Sequence, residues 1–428
     1  MATLVEPGLA ADLLTVPRPA DWASLRQTAE TKLQSQALPT TREENWKYTD
    51  LRALRDTSFS PGQSLEVDIA EHILPEARGT RLVFVNGHFA SHLSNTSALP
   101  SGVRLLHLAC VSEAAKGLGS LAAPDTSDFF ANLNHARFGD GAYLFVPAQV
   151  RVEAPLHVLF VSSQTGAAAT CSLPRLHVVL ERGASAQLVE EYIGSGQYLT
   201  NTVVEVHLHE HATLTHERIQ RESKEAFHIA TLAAQVDRGA RYVCRTLTLG
   251  ARLSRQTPHV RMAEEGAELE LNGLALLDQQ QVADTHSLID HFVPRCSSRQ
   301  LHKTIVDGHS RGIFNGKIFV HPGAQQTDAQ QQARSLLLSE HARVDAKPEL
   351  EIYADDVKCA HGAAIGQLDP EELFYLQSRG LNQDTARNLL TYGFAAELLA
   401  AIAIPSLRRQ LRKVVMARTN ASDLEALA

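Results

Sequence analysis

Apolar and polar residues alternate through the middle of the chain, and the alternation keeps returning after short corners. Four of these corners read Gly183-Ala184, His211-Ala212, Gly239-Ala240 and Gly266-Ala267, at spacings of 28, 28 and 27 residues. Two later ones, Gly308-His309 and His341-Ala342, keep the form at looser spacing. Behind the corners the period-two pattern resumes, as in Ala212, Leu214 and His216, in Ala267, Leu269, Leu271 and Gly273, and in Ala342, Val344 and Ala346. Side chains two apart on a strand share a face, so this pattern predicts strands with one face buried. A short recurring period of strands with no helical pattern between them predicts a β-solenoid. A β-sandwich and a β-propeller are the competing arrangements. Small residues at inward corner positions let successive coils stack closely.

The two flanks have other periods. Trp22, Leu25, Ala29, Leu33 and Ala37 fall at helical spacing between Asp21 and Leu38, and Pro39 closes that helix. Short strand-like runs, RLVFVNG and VRLLHL, follow between residues 81 and 108, and a brief helix is predicted from Asp128 to Phe138. After the strands, Asp369 can cap a helix that has Pro370 at its first position and Glu371 and Glu372 in its first turn, with Gly380 as its stop. Two more helices are predicted over Asp384–Leu399 and Ser406–Met416. The expected organisation is a mixed helix-and-strand domain over 1–140, a parallel β-helix over 141–369 and a helical appendage over 370–428.

Composition narrows the classes. The 428 residues carry a formal net charge of −8 and no Lys/Arg block, which disfavours a nucleic-acid footprint. Five cysteines without framework spacing point to a reducing compartment. The opening MATLVEPGLAADLL lacks the basic and apolar regions of a signal peptide. The most apolar late segment, Leu389 to Pro405, is interrupted by Glu397 and is short for a membrane span. A soluble cytoplasmic protein with no membrane or nucleic-acid partner is expected.

Candidate chemistry is sparse. Cys359 and His361 lie two apart at the end of the strand region, so a thiol and an imidazole share a face, a pairing suited to zinc, copper or an iron–sulfur species. Two ligands cannot complete such a site, and the other cysteines (Cys110, Cys171, Cys244, Cys296) are scattered. Cys110, Cys171 and Cys244 read as core residues, and Cys296 as a partly buried structural thiol. His207, His209 and His211 form a second, weaker metal candidate, with Glu205 in the same register. Four residues along one extended strand do not converge on a single ion, so an exposed titrating patch is expected there. Gln325, Gln326, Gln330, Gln331 and Gln332 fit amide pairing between stacked coils. No phosphate loop, nucleophile elbow or His-Glu-x-x-His motif is present. Asp278, Asp284, Asp290 and Asp307 do not share a register, which weighs against a calcium-dependent β-helix carbohydrate-active enzyme.

The runs FNGKIFVHPGAQQTDAQQQARSLLLS, KPELEIYADDVKCAHGAAIGQLD and ELFYLQSRGL, together with TREENWKYTDL near the start, resemble the SufB/SufD family of iron–sulfur cluster assembly scaffolds. The stretch DDVKCAHGA, where SufB-like sequences carry roughly a Glu-His-Glu run, places the likeness on the SufD side. The resemblance implies a right-handed parallel β-helix and a non-catalytic scaffold. It also implies pairing of the solenoid end with a SufB-type subunit and binding of a SufC-type ATPase. No cofactor is then held stably by this chain alone, and an iron–sulfur cluster forms transiently at the seam, with His361 as a ligand and Cys359 beside it. The tail residues Phe374, Tyr375, Leu376, Arg379 and Phe394 are the expected ATPase-side contacts. A homodimeric solenoid binding module is the remaining alternative.

Overall fold

The computed structural model describes residues 22–111, 117–123 and 128–419. The leader-free reading of the first residues and the predicted helix start at Asp21 lie outside them. Two long sheets run through the molecule. The first contains Gly141–Val146, Arg175–Leu180, Tyr198–Leu208, Phe227–Val236, Leu253–Met262, Val282–His291, Arg311–Val320 and Arg343–Ile352. The second contains Leu156–Ser163, Ser185–Ser195, Thr213–Arg221, Arg241–Thr248, Glu268–Leu277, Ser297–Val306, Asp328–Leu337 and Lys358–Gly366. The chain alternates between them, and neighbours in each of these two series pair in parallel. This is the expected β-solenoid, and the face-packed antiparallel sandwich is excluded.

The corners explain the drift in spacing. Gly183, His211, Gly239, Gly266, Arg295 and Gln326 all have positive φ, and each of them precedes a strand of the second sheet. Adjacent corners are tied by backbone bonds, such as Gly183 N–H to Glu210 and His211 N–H to Arg238. Gly308 and His341 belong to a different row, with Ala251 and Gln279, at turns that lead into the first sheet. The later corners are therefore not loosened members of one series. Arg295 and Gln326 hold the left-handed conformation without glycine, so their corners carry no glycine signal in the sequence. Elsewhere the stacking itself demands glycine: a Cβ on Gly194 would lie 1.7 Å from the Ser162 carbonyl oxygen.

Inward residues of both sheets form one apolar core from Leu82 and Phe84 to Ile318, Val320 and Ala329. The outer face of the first sheet is covered by the N-terminal segment, where Trp46, Leu54, Phe130 and Leu133 pack on Tyr143, Leu199, Phe227 and Ile229. The helix Phe129–Arg137 is capped by the Asp128 side chain, as its sequence predicts. The first helix, Ala23–Leu33, is shorter than expected, because the chain tightens through Gln34 to Gln36 before the residue preceding Pro39.

The three tail helices are Pro370–Ser378, Gln383–Ala400 and Pro405–Arg418. The first starts on the Asp369 cap and stops at Gly380 (φ +97°), where Leu381 N–H bonds the Leu376 carbonyl and Gly380 N–H that of Gln377. The tail is not a free appendage. Leu398, Leu399, Leu407, Leu411 and Val415 are buried against Val189, Ile219, Leu247, Leu274 and Ile305 on the outer face of the second sheet. Each such side chain contributes about 1.5–3 kcal/mol of burial. Removing the tail would strip an apolar face from the solenoid.

Candidate functional site

The strand Lys358–Gly366 is the last of its sheet and pairs on one side only, with Asp328–Leu337. Arg343–Ile352 ends the other sheet in the same way. Together they form an open solenoid end, whose outward backbone groups have no strand beside them among the described residues. Cys359 is aligned with Ala329 and His361 with Gln331, and the same ladder sets both on one face. Cys359 is half-buried against the end of the core, and burial pushes its thiol pKa up. His361 is exposed and borders an open recess of about 320 Å³ with Gln331, Arg334 and Gly362. Gln331 is buried, and neither atom of its amide has a hydrogen-bond partner. Ile352, Tyr353 and Ile365 are exposed around the same end. Among the described residues no third His, Cys, Asp or Glu joins Cys359 and His361.

Comparison with known proteins accounts for this architecture. Residues 160–394 match the family described as SUF system FeS cluster assembly, SufBD core domain, and residues 12–158 match the SufBD protein N-terminal region. The chain belongs to the SufBD family. It is 40% identical over 412 residues to an iron–sulfur cluster assembly SufBD family protein of Synechocystis, covering 92% of this chain and 90% of that one. Identity to the iron–sulfur cluster assembly protein SufD of Escherichia coli is 33% over 387 residues, covering 87% and 88% of the two chains. Identity to SufD of Bacillus subtilis is 28% over 289 residues, covering 66% and 65%.

The structure separates the tail residues of this SufBD chain into two groups. Phe374 and Tyr375 stand 72% and 57% exposed on the first tail helix, and Arg379 lies over the Tyr375 ring at 5.2 Å. Leu376 is half-buried on the same helix. Phe394 instead packs with the outer face of the solenoid, where Lys303 Nζ donates to its carbonyl at 2.9 Å.

The histidine run is divided as well. His207 and His209 both approach Asp237, whereas His211 turns into a corner beside Glu210. Burial disfavours the Asp237 carboxylate, but the two imidazoles outweigh it and hold its pKa well below the usual range. Glu205 is no ligand. It is buried, pairs with Arg175 at 2.6 Å, and accepts the backbone N–H groups of Gly119, Leu121 and Ala122. It fastens the N-terminal segment to the solenoid. The outward register of Glu205 is legible in the sequence, but the segment that covers it is not.

Cys171, Cys244 and Cys296 are buried as expected, and burial raises each thiol pKa, that of Cys244 to about 11. Cys110 is not a core residue: it is exposed in a helical turn that ends the short strand Arg104–His107. Its Sγ is 2.9 Å from His107 Nε2, and His107 Nδ1 is 3.1 Å from Asp140 Oδ2. A thiol, a base and an orienting carboxylate are thus in sequence. The His107-x-x-Cys110 spacing is the only local signal, and Asp140 arrives through the antiparallel pairing of Arg104–His107 with Gly141–Val146.

Proposed function

We propose that this chain is the SufD-type subunit of a cluster-assembly scaffold, joined through its open solenoid end to a SufB-type subunit. The open end carries the argument. Two parallel strands expose unpaired edges beside two potential ligands that cannot complete a metal centre alone. A second solenoid continuing the ladders would cover Ile352, Tyr353 and Ile365, offer partners to Gln331, and bring further donors to His361. The nascent cluster is then substrate rather than a resident cofactor. His361 is a ligand at the seam, Cys359 lies beside it, and the chain itself is non-catalytic. The exposed Phe374, Tyr375 and Arg379 surface is the contact for a SufC-type ATPase, with Leu376 shaping the helix beneath it. Phe394, on the helix Gln383–Ala400, anchors the tail to the solenoid next to that surface.

Co-expression with SufB-type and SufC-type subunits tests this reading. His361→Ala should still assemble, because backbone pairing sets the edge, while cluster formation on the purified complex falls well below wild type. Cys359→Ala should be milder. Normal cluster formation by His361→Ala, or its failure to assemble, would remove the ligand role. Phe374→Ala with Tyr375→Ala should lose the ATPase and retain the SufB-type subunit; loss of both would show that the helix face is not a separate contact. Recovery of a homodimer through the same edge, with no SufB-type chain bound, would favour the binding-module reading.

A further inference from the structure

We propose that His207, His209 and Asp237 form a binding site for a divalent first-row transition-metal ion on the outer face of the solenoid, separate from the open end. The donors come from two successive coils. His207 lies near the end of Tyr198–Leu208, His209 just past it, and Asp237 just past Phe227–Val236. The parallel ladder pairs His207 with Gln235, which carries Asp237 to the level of His209. Both following residues are clamped by the stacking, His209 N–H to the Leu180 carbonyl and Asp237 N–H to that of Leu208, each at 3.0 Å. The donor backbones are therefore set before any ion arrives.

The spacing of the donor atoms suits one ion. His207 Nε2 is 2.9 Å and His209 Nδ1 3.4 Å from Asp237 Oδ2, and the three ligand atoms all lie within 4.8 Å of one another. Donors bonded at about 2.1 Å stand roughly 3.0 Å apart around an octahedral ion and roughly 3.4 Å apart around a tetrahedral one. Gln235 lies against the cluster, its amide nitrogen 2.9 Å from Asp237 Oδ1 and 3.2 Å from His207 Nε2. It holds the second carboxylate oxygen and must turn from His207 when the imidazole ligates. The His207 and His209 side chains are 28% and 34% exposed, so an ion can enter and keep water or an outside ligand in its remaining positions.

Two imidazoles with one carboxylate select zinc, cobalt, nickel or ferrous iron over magnesium and calcium, which take oxygen ligands. A second His–Asp–His group on the same sheet does not qualify. His259 and His321 approach different oxygens of Asp290, at 3.7 and 2.8 Å, and the three do not gather within the same limit. The strand bearing His207 is five steps along the sheet from the terminal strand Arg343–Ile352, roughly 24 Å at about 4.8 Å per step. No single ion bridges it to His361.

Cobalt(II) titration of chelator-treated full-length protein, read by visible absorption and by equilibrium dialysis with zinc(II), tests the proposal. One equivalent should bind with a ligand-field band, unaffected by excess magnesium. His207→Ala and Asp237→Asn should each weaken binding at least about tenfold. Circular dichroism melts should show both variants folded. His259→Ala and the Cys359→Ala/His361→Ala double variant should bind as wild type. The proposal is overturned if no saturable binding occurs, if both His207→Ala and Asp237→Asn retain full affinity, or if binding is lost with Cys359 and His361 instead.

Discussion

At its first coils the solenoid ends in antiparallel strands. His88–Phe89 reverses on Arg81–Val85, and Arg104–His107 reverses on Gly141–Val146. At its last coils Arg343–Ile352 and Lys358–Gly366 run parallel to their neighbours and stop with one edge unpaired. A reversed strand interrupts the parallel repeat, while a parallel edge is the same surface that joins every coil to the next. The interior differs in the same sense. Early coils bury charge: Glu190 accepts from Arg218 and from the Tyr192 hydroxyl, and Glu191 pairs with Arg221, His157 and His72. The last two strands contain no fully buried residue: Arg343–Ile352 is mostly half-buried and Lys358–Gly366 mostly exposed. One end is closed by reversed strands over buried ion pairs, and the other stops at an unpaired parallel edge.

The contrast breaks most completely if acid leaves the early and middle coils intact. Burial lowers the pKa of His135 and His302 to about 3 and of His177, His286 and His291 to about 4, from 6.5. The unfolded chain therefore binds more protons than the folded one as pH falls from 6.5 toward these values. Stability is full above pH 6.5 and is lost through that window, by up to about 1.4 kcal/mol per pH unit for each histidine. Urea midpoints should hold from pH 7.5 to 6.5 and fall steeply from 6.5 toward pH 5, and a flat profile would contradict neutral buried imidazoles.

Next in size is the buried ion network. Arg218→Ala leaves the Glu190 carboxylate uncompensated and should cost about 3–5 kcal/mol in urea unfolding. Ile365→Ala at the open end should cost less than about 1 kcal/mol. Similar losses at both positions would erase the distinction between the ends.

A pair of prolines sharpens the comparison at the edge itself. Lys358 N–H bonds inward to the Thr327 carbonyl, so along this parallel strand the N–H of Ala364 points to the ladder and that of Ala363 points outward. Ala363→Pro should keep the fold within about 1 kcal/mol and block pairing with a second solenoid, whereas Ala364→Pro breaks a ladder bond and should lower the melting temperature. Size-exclusion chromatography with the SufB-type subunit reads the first effect and thermal unfolding the second. Smallest is the order of thiol reactivity. Cys110 should react with iodoacetamide before Cys359, and both before Cys171, Cys244 and Cys296, as followed by peptide mass spectrometry.

Much of this was legible in the residues. Glycine followed by alanine marked corners because the left-handed turn and the close stack favour those two residues, and the Asp369-Pro370 and Gly380 signals bounded the first tail helix. The lost information is long-range. Arg295 and Gln326 turn the chain without the glycine that would announce them. The partnership of His207 and His209 with Asp237 depends on a register set one coil later. Glu205 reads as outward, and it is; only the fold reveals that residues 119–122 cover it. The docking of Leu398, Leu407 and Leu411 is amphipathic in sequence, but the surface they meet is assembled from five separate strands.

The parallel stack also acts as a gauge of length. Its coils add height in fixed increments of about 4.8 Å, and the tail helices are fastened to one of its flanks. The height of the open edge above that platform can change only by whole increments. Inserting one complete coil beyond Leu338, on the open side of the strands that the tail covers, would preserve every local pairing rule yet displace the edge by one increment. Two partners engaging the edge and the tail together would then detect a change in dimension with no change in either contact surface.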